Sequence, residues 1–535
     1  MVSPDTEGED LISPVPHDRV TNSRTFERRN DGDWRSYNLL SLDGGGIRGY
    51  LELLVLKTLM EYVGEAEEEL DSEARHSYHP ESGPENVRQA LSNGGQIDPA
   101  RRYLPCHYFD YIGGSSTGGL IAILLGRFRM SVPDCIEEYM TLGDEVFGNP
   151  RTFNTLRFKI GNRAKYDTTK LERVFQDVTE RRSEKIDESH NDSRVKFPSN
   201  PGMCKTFISS LRSASQHVAQ LHLIRSYDLE LRTSPRESRK STWNTNSMAS
   251  PSRTNTGQSS ASGVTKYSSQ KNKQKNKRTR NYGKAQNYEI WEVARAATAA
   301  PFYFRPLVIE NGSEKIEFID GGFSETNNPT KQGLLDIREE HGKDTINIVV
   351  SVGTARCNKA PGRGRFFRLV EFAEDAVEKV TNPEAVHEEV ADWAGDKVNG
   401  FTYYRFNEPG ALNINLDEWE PKRGLFQKRP GSKSIKTMDD AFAKWSSKRE
   451  THRDFEACAR ALVNCRRERA STCKASWETF ATGATFTCRI KGCKRRASTN
   501  RDEFREHLVQ VHGFEDAEIE SELEEPQCKT VWKYR

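Results

Sequence analysis

Gly114-Ser115-Ser116-Thr117-Gly118 stands directly between the apolar run Tyr108–Ile112 and the small and apolar run Gly119–Leu125. That order of residues reads as a strand that ends in a sharp turn and continues at once as a helix. Small residues around Ser116 let the chain bend tightly, and the bend lifts the hydroxyl to the mouth of a sheet beside the N–H groups of the helix start. A serine hydroxyl is a weak nucleophile until it is placed next to a base. Ser116 is therefore expected to sit on a nucleophile elbow of an α/β domain, an arrangement suited to attack on a carboxylic ester. The pentapeptide alone would also fit an ordinary loop, so the segments around it must decide.

Upstream, Asn38–Leu42 reads as a short buried strand, and Asp43-Gly44-Gly45-Gly46-Ile47-Arg48-Gly49 interrupts it before a helical pattern from Tyr50 to Val63. Consecutive glycines at a helix start expose backbone N–H groups where the aligned peptide dipoles favour negative charge. Gly44, Gly46 and Gly49 formally fit the spacing of a nucleotide-binding loop. The following helix, however, leads into acidic and polar residues instead of a second strand with a ribose-binding carboxylate, and no Walker-type Lys-Ser/Thr ending is present. An oxyanion pocket uses the same physics, with Gly44, Gly45 and Gly46 as N–H donors and the Thr117 backbone N–H as a further one. Arg48 has two readings, a functional one (holding a phosphate head group or bracing the loop) and a structural one (a surface salt bridge at a helix start).

Glu317-Phe318-Ile319-Asp320-Gly321-Gly322 reads as a strand end that presents a carboxylate on a glycine turn, followed by Asn327-Asn328-Pro329. Of the twelve histidines none occupies a glycine-flanked strand end near Asp320, and His341 looks like a helix terminus before Gly342. The expectation is a Ser/Asp dyad in which Asp320 accepts the Ser116 proton directly. A carboxylate with an ordinary pKa of about 3.9 is a poor match for a hydroxyl unless the closed site couples proton transfer to attack.

Together these segments resemble the patatin-like phospholipase family. Asp43–Gly49 is similar to its glycine-rich motif, Gly114–Gly118 to its nucleophile motif, Asp320-Gly321-Gly322 to its aspartate motif, and Trp291–Phe304 to its helix and Ala-Pro turn. The resemblance runs with interruptions from about Trp34 to Phe406, and no catalytic motif departs from the pattern. It implies a three-layer α/β/α hydrolase domain acting on acyl esters of phospholipids or neutral lipids. Ser116 would form an acyl-enzyme, Asp320 would return its proton to the leaving alcohol and then activate water, and no cofactor would be needed for the hydrolysis. Arg295, among the small residues Ala294–Ala300, is expected to be structural.

The chain of 535 residues allows two or three domains. Residues 1–33 lack an apolar stretch and are expected to form a disordered tail; no later window is apolar enough to span a membrane. The hydrolase domain is placed at 34–410, interrupted at 233–286 by an insertion rich in Ser, Asn, Thr, Lys and Arg, a composition too polar to order itself. Its basic block Lys271–Arg280 can be read as a solvated tether, an anionic-membrane contact, a nuclear-import signal or a nucleic-acid contact, and the net charge of +2 does not choose among them. A cytoplasmic protein that meets a lipid surface peripherally is the resulting expectation.

A mostly helical extension is expected at 411–483, with a helical pattern from Thr437 to Ala470 and Cys458, Cys465 and Cys473 as packing residues. Ten cysteines without a secretory signal argue for reduced thiols. Cys488 and Cys493 are separated by four residues, as are His507 and His512, with thirteen residues between Cys493 and His507. Two thiolates from a hairpin and two imidazoles a turn apart on a helix suit a tetrahedral zinc ion, with Phe486, Phe504 and Leu508 as a small core. Residues 486–514 resemble a Cys2His2 zinc finger, and a ββα module is placed at 484–515 ahead of an acidic tail at 516–535. One finger reads only about three base pairs, and Glu503 and Glu506 oppose a phosphate backbone, so a protein contact or a structural cap is favoured over gene regulation. The alternative to a lipid hydrolase is an adaptor that binds nucleic acid or protein through the zinc module and basic insertion and carries a vestigial hydrolase domain.

Overall fold

Leu39, Leu40 and Leu42 are all fully buried, yet Leu40 and Leu42 belong to one hydrophobic cluster and Leu39 to another. A strand that is apolar on both faces must lie inside a covered, largely parallel sheet. The computed structural model shows that sheet. It describes residues 34, 36–72, 77, 99–148, 164–182, 195–214, 219–230, 280–301, 303–311, 314–324, 326–355, 382–396, 400–408, 412, 414–421, 429–495, 497–525 and 528–531. The tail expected at 1–33 and residues 233–279 of the expected insertion lie outside them.

The main sheet contains β1 (Tyr37–Leu42), β2 (Tyr111–Ser115), β3 (Lys205–Ala214), β4 (Gln220–Arg225), β5 (Leu307–Asn311), β6 (Glu314–Asp320), β7 (Ile346–Val352) and β8 (Thr402–Phe406). Its order is β5-β6-β3-β2-β1-β7-β8, with β4 also paired to β3. Strands β3, β2, β1, β7 and β8 are parallel, whereas β4 and β6 run antiparallel to β3. Residues Phe207–Ser209 pair with β2 and β4 together, and Ser210–Arg212 with β4 and β6 together. A strand has only two edges, so β2 and β6 share one of them. Their C-terminal ends meet head to head, Ser115 opposite Ser209 and Asp320 opposite Ser210.

Among the described residues, the helices of seven residues or more are α1 (Gly49–Leu70), α2 (Ser116–Ala122), α3 (Val132–Leu142), α4 (Thr168–Arg182), α5 (Ile290–Ala297), α6 (Thr330–His341), α7 (Pro383–Ala394), α8 (Ser432–Ser446), α9 (Arg449–Thr472), α10 (Lys474–Thr482), α11 (Arg501–His512) and α12 (Asp516–Glu524). Leu334, Ile337 and Val390 of α6 and α7 cover the Leu39 face. Residues of α1–α5 and α8–α10 cover the other, completing the α/β/α layering. Among the described residues no helix is long and apolar enough to cross a membrane.

Two sequence expectations change here. The helical pattern at 437–470 is two helices, because Lys448 is extended and the chain folds back so that Trp445 meets Phe455 edge-on, ring centroids 6.1 Å apart. Residues expected as an acidic tail instead supply α12 and a strand, β10 (Lys529–Thr530), paired with β9 (Thr485–Phe486). Ile519 and Leu523, four apart, face one side of α12 and pack with Phe486, Phe504 and Leu508.

The extension is fastened to the core by buried charges. Glu67, at the end of α1, accepts hydrogen bonds from the Tyr108 hydroxyl (2.9 Å), Arg466 Nε (2.6 Å) and Arg467 Nε (2.7 Å), which explains why α1 runs a full two turns beyond the expected Val63. Asp110, just before β2, accepts from Trp34 Nε1 (2.8 Å), the Asn38 N–H (2.7 Å) and Arg469 Nη2 (2.8 Å). Removing one partner of a buried pair leaves the other charge stranded, at a cost of about 3 kcal/mol. Arg469→Met should therefore lower the urea unfolding midpoint by a corresponding amount, and an unchanged midpoint would show that α9 is not held this way.

Candidate active site and metal cluster

Ser116 has φ +50°, a left-handed conformation that costs a non-glycine residue about 1–2 kcal/mol. Its surroundings enforce the turn. A Cβ at Gly114 would lie 2.1 Å from the Gly118 carbonyl oxygen, and one at Gly118 would lie 2.4 Å from the carbonyl oxygen of Asp43. Both glycines are thus needed where the elbow crosses the glycine loop. Behind it, a Cβ at Gly119 would lie 3.2 Å from the Ala297 side chain, so the small residues of α5 let that helix approach closely.

The head-to-head strand ends bring Ser116 and Asp320 together. Ser116 Oγ donates to Asp320 Oδ2 at 2.6 Å, and the Gly322 N–H donates to Oδ1 at 2.7 Å. Asp320 is buried, and loss of water around its charge outweighs these two bonds, pushing its pKa up to about 7. His341 ends α6 and bonds the hydroxyl of Tyr111, which begins β2 at the opposite end of the strand from Ser115.

The glycine loop passes beside the serine: a Cβ at Gly44 would lie 3.0 Å from Ser116 Cβ. Two of the three glycine amides expected as oxyanion donors have partners within the fold. The Gly44 N–H donates to the Asn327 carbonyl at 3.1 Å, and the Gly45 N–H donates to Thr117 Oγ1 at 3.3 Å. The turn carrying Asn327 crosses so close that the first amide is engaged within the fold, and Thr117 enters through its side chain as an acceptor. Gly46, at φ +58°, donates through its N–H to none of the described residues, while its carbonyl accepts from the Tyr139 hydroxyl at 2.7 Å. Arg48 is buried and donates to the Gly45 carbonyl at 3.4 Å, so it lies against the loop and not on a helix surface. Arg295 is also buried, bonded to Glu172 (3.1 Å) and to the Arg305 carbonyl (2.8 Å).

Three further groups shape this loop. Asn327 Nδ2 and Thr354 Oγ1 both donate to the Gly44 carbonyl, at 3.3 and 3.2 Å. Arg405 of β8 reaches Asp43, 2.6 Å from Nη2 to Oδ2. The Asn-Asn-Pro turn was visible in the sequence; Arg405 has no motif and is found only through the sheet.

At the other end of the chain, Cys488, Cys493, His507 and His512 place one donor atom each within 4.8 Å of one another. They form a Cys2His2 cluster able to hold a metal ion. Cys488 Sγ lies 3.4 Å from His512 Nε2 and Cys493 Sγ 3.5 Å from His507 Nε2. Gly492, at φ +88°, makes the turn between the cysteines, and Asn500 caps α11 by accepting from the Asp502 and Glu503 N–H groups at 2.9 and 3.1 Å. Arg501 pairs with Glu478, Glu520 and Glu524 at 3.2, 3.0 and 2.6 Å, and Arg505 with Glu520 at 3.1 Å.

The sequence profile of the patatin-like phospholipases matches residues 40–334. Calcium-independent phospholipase A2-gamma of Mus musculus is 23% identical over 412 residues, which cover 77% of this chain and 40% of that protein. Its Homo sapiens counterpart is 22% identical over 389 residues, covering 72% and 36%. The 85/88 kDa calcium-independent phospholipase A2 of Mus musculus is 24% identical over 407 residues, covering 71% and 36%. The chain thus spans about 40% or less of the length of these relatives.

The strained serine makes a prediction independent of any activity. Glycine adopts φ +50° freely and alanine does not, so Ser116→Gly should unfold at a higher temperature than Ser116→Ala, by the equivalent of about 1 kcal/mol. Equal midpoints would mean that the elbow is relaxed in solution.

Proposed function

Because this chain belongs to the patatin-like phospholipase family, we propose that it is a lipid acyl hydrolase that cleaves carboxylic esters of phospholipids through Ser116 and Asp320. The observation that carries this reading is the 2.6 Å bond from Ser116 Oγ to a buried aspartate with no imidazole between them. Ser116 attacks the acyl carbonyl as its proton passes to Asp320 Oδ2. The tetrahedral intermediate collapses to an acyl-enzyme, and Asp320 returns the proton to the leaving alcohol before it activates a water molecule. A pKa near 7 suits this base better than an ordinary carboxylate would.

Negative charge on the substrate oxygen is stabilised, in this proposal, by the Thr117 N–H at the start of α2 and by the Gly46 N–H. The Gly45 N–H joins them by exchanging its 3.3 Å bond to Thr117 Oγ1. Gly44 and Arg48 shape the loop, the first through Asn327 and the second through the Gly45 carbonyl. The relatives' names specify phospholipase A2; neutral lipids remain the comparison substrate. The protein meets its lipid from the water side, by peripheral contact.

We assign the hydrolase domain to 34–410, the packed helical extension to 411–483, and the metal module to a segment from 484 to the end of β10. A zinc ion fits its donor set: usual Zn–S and Zn–N bonds at a tetrahedral angle separate S and N by about 3.6 Å, close to the 3.4 and 3.5 Å found. Cys488, Cys493, His507 and His512 would hold it as a structural ion that lets the small cluster around Phe486 and Phe504 fold. The residues of α11 do not favour base reading by this module. Counted from Arg501 as the helix start, the base-reading positions −1, 3 and 6 of a finger fall on Asn500, engaged in the cap, and on Glu503 and Glu506.

Fatty acid release from phosphatidylcholine vesicles and triacylglycerol emulsions should fall at least about 10³-fold in both Ser116→Ala and Asp320→Asn. Retained release in either variant rejects the dyad. The base must be ionised to act, so kcat/KM should climb with pH and level off above about 7. The same raised pKa favours the protonated folded state: its stabilisation is complete below about pH 4 and is lost as pH rises through about 7. Asp320→Asn should consequently unfold at a higher temperature than the parent at pH 8. Metal analysis should find one zinc per chain, lost in Cys488→Ser together with the protease resistance of residues beyond 484; a metal-free, resistant module would reject the site.

A further inference from the structure

Asp43 opens the glycine loop from the end of β1, two residues from the Gly45 N–H, and its carboxylate is almost fully buried. A buried charge is tolerated only with a partner, and here the partner comes from far along the chain. Arg405, on β8 with its side chain largely buried, donates through Nη2 to Asp43 Oδ2 at 2.6 Å and to Glu384 Oε1 of α7 at 2.8 Å. Through Nη1 it reaches Ser351 Oγ of β7 at 2.8 Å. Glu384 is fixed in turn by Asn407 Nδ2 at 2.9 Å, and Asn407 Oδ1 accepts the Ala355 N–H at 2.9 Å. The intervening Thr354 donates to the Gly44 carbonyl at 3.2 Å and presses on the loop: a Cβ at Gly45 would lie 2.2 Å from its Oγ1.

The guanidinium therefore joins the strand that enters the loop, the strand that walls it and a helix on the opposite face of the sheet. Its planar fork serves three acceptors at once, which a lysine ammonium on a flexible stem cannot reproduce in the same geometry. Arg405 lies beyond the residues matched by the family profile, which end at 334.

We propose that Arg405 is a positioning residue for ester hydrolysis, which holds the glycine loop in register with Ser116 by neutralising and orienting Asp43. It touches neither substrate nor the reacting atoms. Its effect is on the donors that meet the charge developing in the transition state, so it acts on kcat and leaves ground-state lipid binding alone. A misplacement of about 1 Å at such donors costs on the order of 100-fold.

The inference rests on the dyad reading and is separable from it. Steady-state hydrolysis of phosphatidylcholine in mixed micelles would be measured for the parent, Ser116→Ala, Arg405→Gln, Arg405→Lys and the double variant Asp43→Asn/Arg405→Gln, each with its thermal midpoint. Arg405→Gln should lose about 100-fold in kcat with KM within about twofold. Arg405→Lys should recover part of that loss by restoring the charge without the fork. The double variant should exceed Arg405→Gln several-fold, because it removes the stranded carboxylate. Wild-type kcat in Arg405→Gln, or a double variant no better than the single one, overturns the proposal. If Arg405→Gln does not fold, Arg405→Lys and Asp43→Asn decide: parental kcat in both overturns it, and lowered kcat at parental KM supports it. Hydrolysis by the parent that survives Ser116→Ala, or a parent without hydrolysis, would instead reject the dyad.

Discussion

One edge of β3 is shared by two strands that arrive from opposite directions, and the site depends on where they stop. Strand β2 ends opposite Ser209 and β6 opposite Ser210, so adjacent positions on a single template determine how far Ser115 and Asp320 stand apart. Register in a sheet is strict because a slip of one residue turns every side chain to the other face. A slip of β6 would replace Asp320 by Ile319 or Gly321 at this junction. The strand ends also explain the local shapes: neither strand can continue through the other, so one chain leaves as helix α2 at Ser116 and the other as a tight turn at Gly321.

The same junction changes the acid–base character of a carboxylate. Deprived of water on all sides, Asp320 keeps two hydrogen bonds that favour its charge, and burial still dominates. A histidine relay raises basicity by inserting an imidazole between acid and nucleophile; here desolvation moves the carboxylate itself toward neutrality. That solution requires close packing, and the glycines supply it. Gly114, Gly118 and Gly44 are positions where a methyl group would strike the neighbouring backbone or the side chain of Asn327. The folding cost of a strained serine and a desolvated acid is borne by the sheet beneath them.

The layered fold and the Ser116–Asp320 encounter were legible because each is encoded locally, by apolar runs that end in glycine turns. Strand β1 begins within one residue of its expected start, and His341 ends a helix as its position before Gly342 suggests. What could not be read is what depends on crossing chains. Nothing in Asp43–Gly49 shows that Asn327 and Thr117 will come within reach of the Gly44 and Gly45 amides. Arg405 carries no motif, and only the sheet order, with β7 between β1 and β8, brings it to Asp43. Likewise the acidic composition of 516–525 concealed Ile519 and Leu523, whose spacing matters only once there is a cluster for them to join.

The metal module follows from that last point. A finger presented to nucleic acid keeps its arginines outward, whereas here α12 folds back and supplies Glu520 and Glu524 to Arg501 and Arg505. Arg501 and Lys529 also reach Glu478 of α10, and the carbonyls of Phe480 and Ala481 on that helix accept from the buried Arg129 at 3.1 and 2.7 Å. Arg129 follows the helical segment that begins at Ser116, and its Nη2 meets His107, which precedes β2. A set of partly buried polar contacts, joined through the backbone of α10, therefore runs from α11 to both ends of the segment that carries Ser116. In that geometry α11 is tied, through α10, to the scaffold behind the Ser116 turn.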